Sequence, residues 1–389
     1  MREELIYHDR RGTDCVKWDG LETVYGESDL IPLWIADMDF KLPACVRKAM
    51  ADWAEYGIFG YYKVPDGYYD AFINWEKQRH GLEVQREWIR FSPGIVSAMF
   101  WLTQVCSLPG DGIALLLPVY HPFYAAIEKT GRRIVGSHLK NEGGVYTIDF
   151  EDFERRIVDE KASVFILCSP HNPVGRVWKA WELEKLIAIC NKHKVTILSD
   201  EIHHDLVQAG HKHIPTATLG GERVITVTAA SKTFNMAGLQ NSFIIIPDEN
   251  LRAIFDVYMD RIHLTSGNMA GYIAARAAYE GGGPWLEAVL AQVASNYDIL
   301  KQAAAKIPGA ALSPLEGTYL AWLDLTACIP GGKTKEIIQD VCRLAVNLGH
   351  IFGGPESGDT YDRFIRINLA TSEDNIRRCC ENLISVLGK

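Results

Sequence analysis

Three polar side chains follow three successive apolar runs of this chain and could act together on one small molecule. The runs cover 163–168, 195–199 and 224–228, and the amide, carboxylate and amine that follow them belong to Asn172, Asp200 and Lys232. A lysine in such a place is either a solvated loop residue or a desolvated amine. Desolvation weakens the preference of an amine for its charged form, so that it can act as a nucleophile and a base. The small residues around Lys232, in Ser-Lys-Thr-Phe-Asn-Met-Ala-Gly, favour the second interpretation.

The elements that must position these side chains alternate along the middle of the chain. Continuous apolar runs, typical of parallel strands covered on both faces, lie at 112–117, 133–138, 163–168, 195–199, 224–228 and 242–246. Helices are predicted between them at 94–107, 121–129 and 181–193. This pattern predicts a doubly wound α/β domain. Ligands bind beyond the carboxyl ends of the strands in such a domain, which places the three polar groups at one edge.

The C-terminal part of the chain changes character and predicts a smaller α+β domain. Helices are predicted at 285–307 and 334–348, and strands at 318–325 and 364–369. We expect the N-terminal segment to complete this domain. The predicted large domain therefore covers 48–284, and the small one covers 1–47 together with 285–389.

Composition and charge exclude several classes of function. The formal net charge of −9 argues against a nucleic-acid partner, because phosphate binding needs a basic face. No apolar run approaches the roughly 20 residues that span a bilayer, and the polar N-terminus lacks a signal core, so a cytoplasmic location is expected. The nine cysteines form no CxxC pair, which indicates reduced core residues. No metal site is predicted, since no compact ligand spacing is formed by His203, His204, His211 and His213.

An amine, a carboxylate and an amide at one sheet edge suit pyridoxal phosphate, which needs a lysine, an acidic partner for its ring nitrogen, and donors for its oxygens. The chain also resembles, over nearly its whole length, the MalY/PatB-like cystathionine β-lyases, or C–S lyases, of the fold-type I aminotransferase superfamily. The stretches that carry this resemblance lie at 32–40, 200–203, 231–238 and 364–369. It implies a large domain with a mostly parallel seven-stranded sheet, a small α+β domain, and a homodimer with the active site at the interface.

The resemblance assigns roles to the side chains around the cofactor ring. It implies that Lys232 forms the Schiff base and later serves as the Cα base, and that Asp200 keeps the ring nitrogen protonated. Asn172 and His203 are implied to contact the phenolic oxygen, and Tyr120 to stack on the ring and offer a nearby phenol. Each residue also has a plainer alternative. Asp200 could be a helix N-cap and Asn172 a turn residue, while His203 could be a surface histidine and Tyr120 an interface aromatic.

A phosphate cup is predicted where Gly94, Ile95 and Val96 open a helix. Free N–H groups and the helix dipole attract anions there, although an ordinary capping turn has the same sequence pattern. The resemblance adds the hydroxyl of Ser231, and it implies that Tyr61 reaches the phosphate from the partner subunit.

Three further positions bear on the substrate and on the subgroup. Arg366 is expected to hold the substrate carboxylate in a bidentate fork, the alternative being a surface arginine on an edge strand. Trp34 and the stretch 351–362 are predicted pocket and lid elements, unless the latter is an ordinary flexible loop. Gln240 stands eight residues after Lys232, where many aminotransferases carry a phosphate-binding arginine. This departure favours the lyase subgroup.

The predicted reaction is β-elimination of L-cystathionine or a related cysteine S-conjugate to a thiol, pyruvate and ammonia. Transamination by a class I/II aminotransferase is the alternative within the family, because the two reactions share every step up to removal of the Cα proton. A regulatory binding role, alone or added to a lyase, is the alternative from another class.

Overall fold

A seven-stranded sheet forms the centre of the computed structural model, which describes residues 3–221 and 223–388. Its strands lie in the spatial order Ile89–Ser92, Ser242–Ile245, Val224–Thr228, Thr196–Asp200, Ala162–Cys168, Gly112–Leu117 and Arg133–His138. The last five run parallel, whereas Ser242–Ile245 runs antiparallel to both of its neighbours. The predicted fold class, a doubly wound domain with a mostly parallel sheet, is confirmed.

All six predicted strands of this sheet are present, with bounds that differ by no more than one residue. Their burial explains this agreement, because strands covered by helices on both faces are apolar throughout. The seventh strand, Ile89–Ser92, was not predicted. It lies at the sheet edge and contains Arg90, so that it lacks a continuous apolar run.

Helices pack around the sheets and connect the strands. The α-helices are Val16–Asp19, Leu21–Tyr25, Ala44–Tyr56, Asp66–Trp75, Ile95–Cys106, Pro122–Glu128, Phe150–Asp159, Ala180–Lys192, Ala230–Thr233, Glu249–Ile262, Met269–Gly281, Gly283–Ala304 and Glu373–Leu387. Shorter 3₁₀ turns lie at Arg86–Trp88, Thr216–Leu219, Ala237–Leu239 and Gly349–Phe352, and π-helical turns at Glu76–His80 and Glu336–Val341. None of the helices among the described residues is both long and apolar enough to cross a membrane.

A second, four-stranded sheet is built from the C-terminal part of the chain. Its order is Ala311–Leu312, Leu320–Asp324, Phe364–Asn368 and Asn347–Leu348. Two further strand pairs complete the fold, Ile31–Pro32 with Leu344–Ala345 and Lys140–Glu142 with Val145–Thr147.

The predicted helix over 334–348 is wrong beyond its first part. A short π-helical turn ends at Val341, and Arg343 has a left-handed backbone with φ of 59°. The residues after it form the strands Leu344–Ala345 and Asn347–Leu348, which pair with the N-terminal segment and with Phe364–Asn368. Hydrogen bonding to distant strands therefore overrides the local helical pattern.

One apolar cluster joins the two sheets. It includes side chains from the large sheet, from the helices and from the small sheet, such as Phe243, Phe72, Trp285, Leu323 and Ile367. This shared core holds the strand that carries Arg366 against the carboxyl ends of the large sheet. All nine cysteines lie among the described residues, and none of them forms a disulfide.

Candidate active site

Lys232 lies just beyond the strand Val224–Thr228, in the short helix Ala230–Thr233. Its Nζ donates a hydrogen bond to the carbonyl oxygen of Ala36 in the N-terminal segment. Burial lowers the pKa of Lys232 to about 8. A neutral amine is therefore accessible near neutral pH, which favours the desolvated amine over the solvated loop lysine.

Asp200 ends the strand Thr196–Asp200 and is 2% exposed. The backbone N–H of Ile202 donates a hydrogen bond to its Oδ1 over 3.1 Å, yet burial raises the pKa of Asp200 to about 7. The residues after Asp200 form a turn and not a helix, so that the N-cap alternative is wrong. A cationic N–H partner would favour the ionised form of this buried carboxyl, which has few donors of its own.

A cavity of about 200 Å³ opens beside these two groups, at the carboxyl ends of the parallel strands. Nine of the twelve predicted site residues line it: Gly94, Ile95, Val96, Tyr120, Asn172, Asp200, His203, Ser231 and Lys232. The predicted residues that do not line it are Arg366, Trp34 and Tyr61. Residues that are distant in sequence thus meet at one place, as the ends of neighbouring parallel strands require.

His203 and Tyr120 contribute an imidazole and a phenol to the cavity wall. His203 is 3% exposed, so the surface-histidine alternative is wrong. Burial holds the pKa of His203 well below its usual value, which makes it a neutral imidazole, and its Nδ1 has no hydrogen-bond partner among the described residues. Burial raises the pKa of Tyr120, so that its phenol stays protonated.

The predicted anion cup is the N-terminus of the helix Ile95–Cys106, which opens into the cavity. The first N–H groups of a helix have no partner within the helix, and the helix dipole favours a negative charge in front of them. Gly94 precedes the helix in an extended conformation, and the hydroxyl of Ser92 donates to its carbonyl oxygen over 2.7 Å. Ser231 lines the same cavity.

Arg366 lies behind the cavity and is 3% exposed. Its strand pairs on both sides, so that the alternative of a surface arginine on an edge strand is wrong. The guanidinium donates to Oδ1 of Asn172 over 3.0 Å and to Oδ1 of Asn347 over 2.6 Å, while its Nε has no partner among the described residues. Sequence reasoning missed Asn347, because that residue was assigned to a helix.

Two predicted residues stand apart from the cavity. Trp34 supplies its carbonyl oxygen to Arg366 over 3.1 Å, and its indole Nε1 donates to the carbonyl of Lys17 over 3.0 Å. Tyr61 is fully exposed on this chain. The roles assigned to both residues stay predictions.

Buried polar atoms without partners test whether the cavity suits pyridoxal phosphate. Nδ1 of His203 and Nδ2 of Asn241 are unpartnered and belong to residues of the cavity wall. A phenolic oxygen and a phosphate need donors, and a ring nitrogen needs the carboxylate of Asp200. The residues present therefore fit this cofactor. Asn241 had no sequence signal, since it lies beside the exposed Gln240 in an otherwise ordinary loop.

A second group of buried ionisable side chains lies beyond the cavity wall, and we call it the ionic cluster: Glu76, His80, His204 and Asp205. Ligand atoms of its first three members lie within 4.8 Å of one another, a spacing that a metal ion could use. His204 Nε2 already lies 3.0 Å from Glu76 Oε1, and His80 Nε2 lies 2.8 Å from Asp205 Oδ1. The prediction of no metal site stays a prediction.

Known proteins resemble this chain nearly from end to end. The family model for aminotransferase class I and II matches residues 28–383. Cystathionine β-lyase PatB of Bacillus subtilis is 39% identical over 378 residues, which is 95% of this chain and 97% of PatB. Cystalysin from Treponema denticola, solved with pyridoxal 5′-phosphate, matches with a TM-score of 0.93 and 33% identity over 100% of this chain and 99% of its own. A pyridoxal-phosphate-bound C–S lyase from Staphylococcus hominis matches with a TM-score of 0.90 and 32% identity over 99% and 97%.

Proposed function

Since the chain belongs to the aminotransferase class I and II family and, within it, to the pyridoxal-phosphate-dependent C–S lyases, we propose that it catalyses the α,β-elimination of L-cystathionine or a related cysteine S-conjugate. The products are a thiol, pyruvate and ammonia. Pyridoxal phosphate, when bound, withdraws electrons from the Cα of an amino acid and so makes its proton acidic. The observation that carries the proposal is that a desolvated amine, Lys232, and a desolvated carboxyl, Asp200, line the same cavity.

We assign the removal of the Cα proton to Nζ of Lys232. With a pKa of about 8, about a tenth of this amine is neutral at pH 7, far more than for an ordinary lysine. The carbonyl oxygen of Ala36 accepts a hydrogen bond from Nζ and orients it. Burial thus supplies both a usable base and a fixed position for it.

The cofactor ring is proposed to lie between Tyr120 and the polar groups at the strand ends. Asp200 would pair with the ring N–H, and this cationic partner would restore the charge that burial disfavours. Asn172 and His203 would donate to the phenolic oxygen. Tyr120 lines the same cavity and keeps its phenol protonated beside the ring.

The substrate carboxylate is proposed to bind Arg366. Its guanidinium is buried and is held by Asn172, Asn347 and the carbonyl of Trp34, so that little freedom remains to be lost on binding. Its Nε is free of protein partners among the described residues. A planar donor fork of this kind matches a carboxylate.

The decisive experiment is incubation of the purified holoenzyme with L-cystathionine in the absence of any keto acid. We expect catalytic release of thiol and pyruvate in equal amounts. Transamination would instead stop after one turnover for each active site and would resume on addition of a keto acid. That second pattern, with no catalytic thiol release, would contradict the proposal. A parallel panel of cystine, cysteine and S-alkyl cysteines identifies the preferred leaving group.

We further propose that residues 48–284 form the cofactor-binding domain and that 1–47 and 285–389 form the small domain of a homodimer. The pairing of Ile31–Pro32 with Leu344–Ala345 supports this division. Support for the dimer comes from an exposed run of large apolar side chains, Tyr56, Ile58, Phe59, Tyr61 and Tyr62.

In such a dimer Tyr61 would reach the phosphate of the partner subunit. Co-expression of Tyr61→Ala with Lys232→Ala tests this assignment, because a mixed dimer would then contain one site with neither substitution. Regained activity is expected, and its absence while mixed dimers form would contradict the role of Tyr61. We also propose a reducing compartment, the cytoplasm, and the nine free cysteines support it.

A further inference from the structure

The phosphate end of the cavity lacks the cation that many aminotransferases supply at the position of Gln240. Gln240 is exposed and has a left-handed backbone with φ of 49°. The next residue, Asn241, is 7% exposed and lines the cavity. The side chain that lines the cavity is therefore that of Asn241, and not that of Gln240.

The register of the large sheet places Asn241 beside the anion cup. Asn241 directly precedes Ser242, and Ser242 pairs with Ser92 across antiparallel strands. Ser92 in turn leads through Gly94 into the helix Ile95–Cys106. The amide of Asn241 and the N-terminus of that helix thus belong to the same wall of the same cavity.

A buried tyrosine fixes the orientation of this amide. The hydroxyl of Tyr68 donates to Oδ1 of Asn241 over 2.8 Å, and Tyr68 is 2% exposed. The ring of Tyr68 stacks on Phe243 at 5.0 Å and meets Tyr272 edge-on at 4.8 Å, so that its hydroxyl has little freedom. With Oδ1 engaged, the amide turns its NH₂ group the other way. The opposite orientation would present a carbonyl oxygen to an anion.

The NH₂ group of Asn241 has no hydrogen-bond partner among the described residues. Gly271 packs closely against the side chain of Asn241, because a Cβ on Gly271 would meet the Cβ of Asn241 at 3.1 Å. A buried donor that is fixed in place and left without an acceptor is unfavourable unless a ligand completes it.

We propose that Nδ2 of Asn241, oriented by Tyr68, donates a hydrogen bond to a phosphate oxygen of the cofactor. This role rests on the proposed cofactor site and supplies a neutral donor where an arginine is absent. Tyr68 acts through Asn241 and is a positioning residue. The side chains of Asn241 and Tyr68 are both uncharged. The affinity for the phosphate therefore depends on the geometry of the amide and less on charge attraction.

The test is the dissociation constant of the cofactor-free protein for pyridoxal phosphate and for pyridoxal, which lacks the phosphate. Loss of a hydrogen bond to a charged group weakens binding by about tenfold or more, so Asn241→Ala should weaken binding of pyridoxal phosphate by that factor and leave that of pyridoxal unchanged. Asn241→Asp should weaken it further, since a carboxylate repels the phosphate. Tyr68→Phe should show the same selectivity with a smaller effect. Gln240→Ala, the neighbouring exposed amide, is the matched control and should change neither constant.

Equal weakening for both ligands, or no change for either, would overturn the proposal. Asn241→Ser and the ³¹P resonance of the bound phosphate provide the same discrimination if Asn241→Ala does not fold. The result is separable from the proposed reaction. A wild-type enzyme that binds the cofactor but releases no thiol would contradict the lyase proposal alone, whereas indifference of the phosphate to Asn241 would contradict this one alone.

Discussion

Two buried polar regions follow the same strand, Thr196–Asp200, and they treat their charges in opposite ways. In the cavity, burial raises the pKa of Asp200 to about 7, and among the described residues only the backbone N–H of Ile202 donates a hydrogen bond to its side chain. In the ionic cluster, five residues further on, Asp205 is equally buried. Burial alone would raise its pKa too, but the charge of His204 and the hydrogen bond from His80 outweigh it and hold the pKa of Asp205 well below its usual value.

The opposite pKa shifts of Asp200 and Asp205 separate a ligand site, the cavity, from a structural site, the ionic cluster. Asp205 also accepts hydrogen bonds from Trp75 over 3.0 Å and from Thr233 over 2.9 Å, and Thr233 directly follows Lys232. The ionic cluster therefore ties the turn after Asp200 to the short helix that carries Lys232. The charged groups of the ionic cluster form hydrogen bonds with one another. In the cavity wall, by contrast, Nδ1 of His203 and Nδ2 of Asn241 have no hydrogen-bond partner among the described residues.

The largest effect on the cavity side is expected for Lys232→Ala. Removal of the only proposed Cα base should lower kcat by about 10³-fold or more. The cofactor-free variant should resist urea at least as well as the wild type, because a desolvated amine is lost and no ion pair is broken. Steady-state thiol release and urea unfolding measure the two quantities. Activity within tenfold of the wild type would remove the central assignment.

The largest effect on the cluster side is expected for Asp205→Asn. Removal of one partner from a buried ion pair costs about 3–5 kcal/mol of unfolding free energy, because the positive charge of His204 loses a neighbour. Urea unfolding with and without cofactor should show this loss equally. Asp256→Asn is the matched control: its pair with Arg90 is half exposed, and such pairs contribute at most about 1 kcal/mol. Equally small losses of unfolding free energy in Asp205→Asn and Asp256→Asn would contradict a structural role for the ionic cluster.

Asp200→Asn, in contrast to Asp205→Asn, should mainly reduce activity. Its kcat/KM should fall by about 10²–10³-fold, the usual effect of removing a group that stabilises developing charge. The raised pKa means that the folded carboxyl ionises later than the unfolded one. In cofactor-free protein the free energy of unfolding should therefore fall as the pH rises from about 4 to about 7, by an amount on the order of 4 kcal/mol. Asp200→Asn should flatten this pH dependence in urea titrations, and an unaltered slope would contradict the raised pKa.

The smallest effect is expected for Arg366→Lys. A lysine keeps the positive charge but loses the planar fork, so that KM for cystathionine should rise about tenfold with little change in kcat. Initial rates over a range of substrate concentration measure both constants. A fall in kcat at unchanged KM would mean that Arg366 does not hold the substrate carboxylate.

Agreement between sequence and structure is best where burial is uniform. The apolar runs that end near Asn172, Asp200 and Lys232 predicted their strands to within one residue, because strands covered on both faces are apolar throughout. The residues after those strands were consequently placed at one edge. The helix predicted over 334–348 was wrong beyond its first part, since the structure of this stretch depends on pairing with Ile31–Pro32 and Phe364–Asn368. Local periodicity contains no information about such partners.

The order of apolar runs and the residues at their ends were sufficient to predict six of the seven strands of the large sheet, and the edge at which the amine, carboxylate and amide are gathered. Long-range packing determined the rest. Asn241 meets Tyr68 across 173 residues, and Glu76 meets His204 across 128. Which buried polar groups are paired and which stay free depends on these contacts, because desolvation and hydrogen bonding act between neighbours in space and not along the chain.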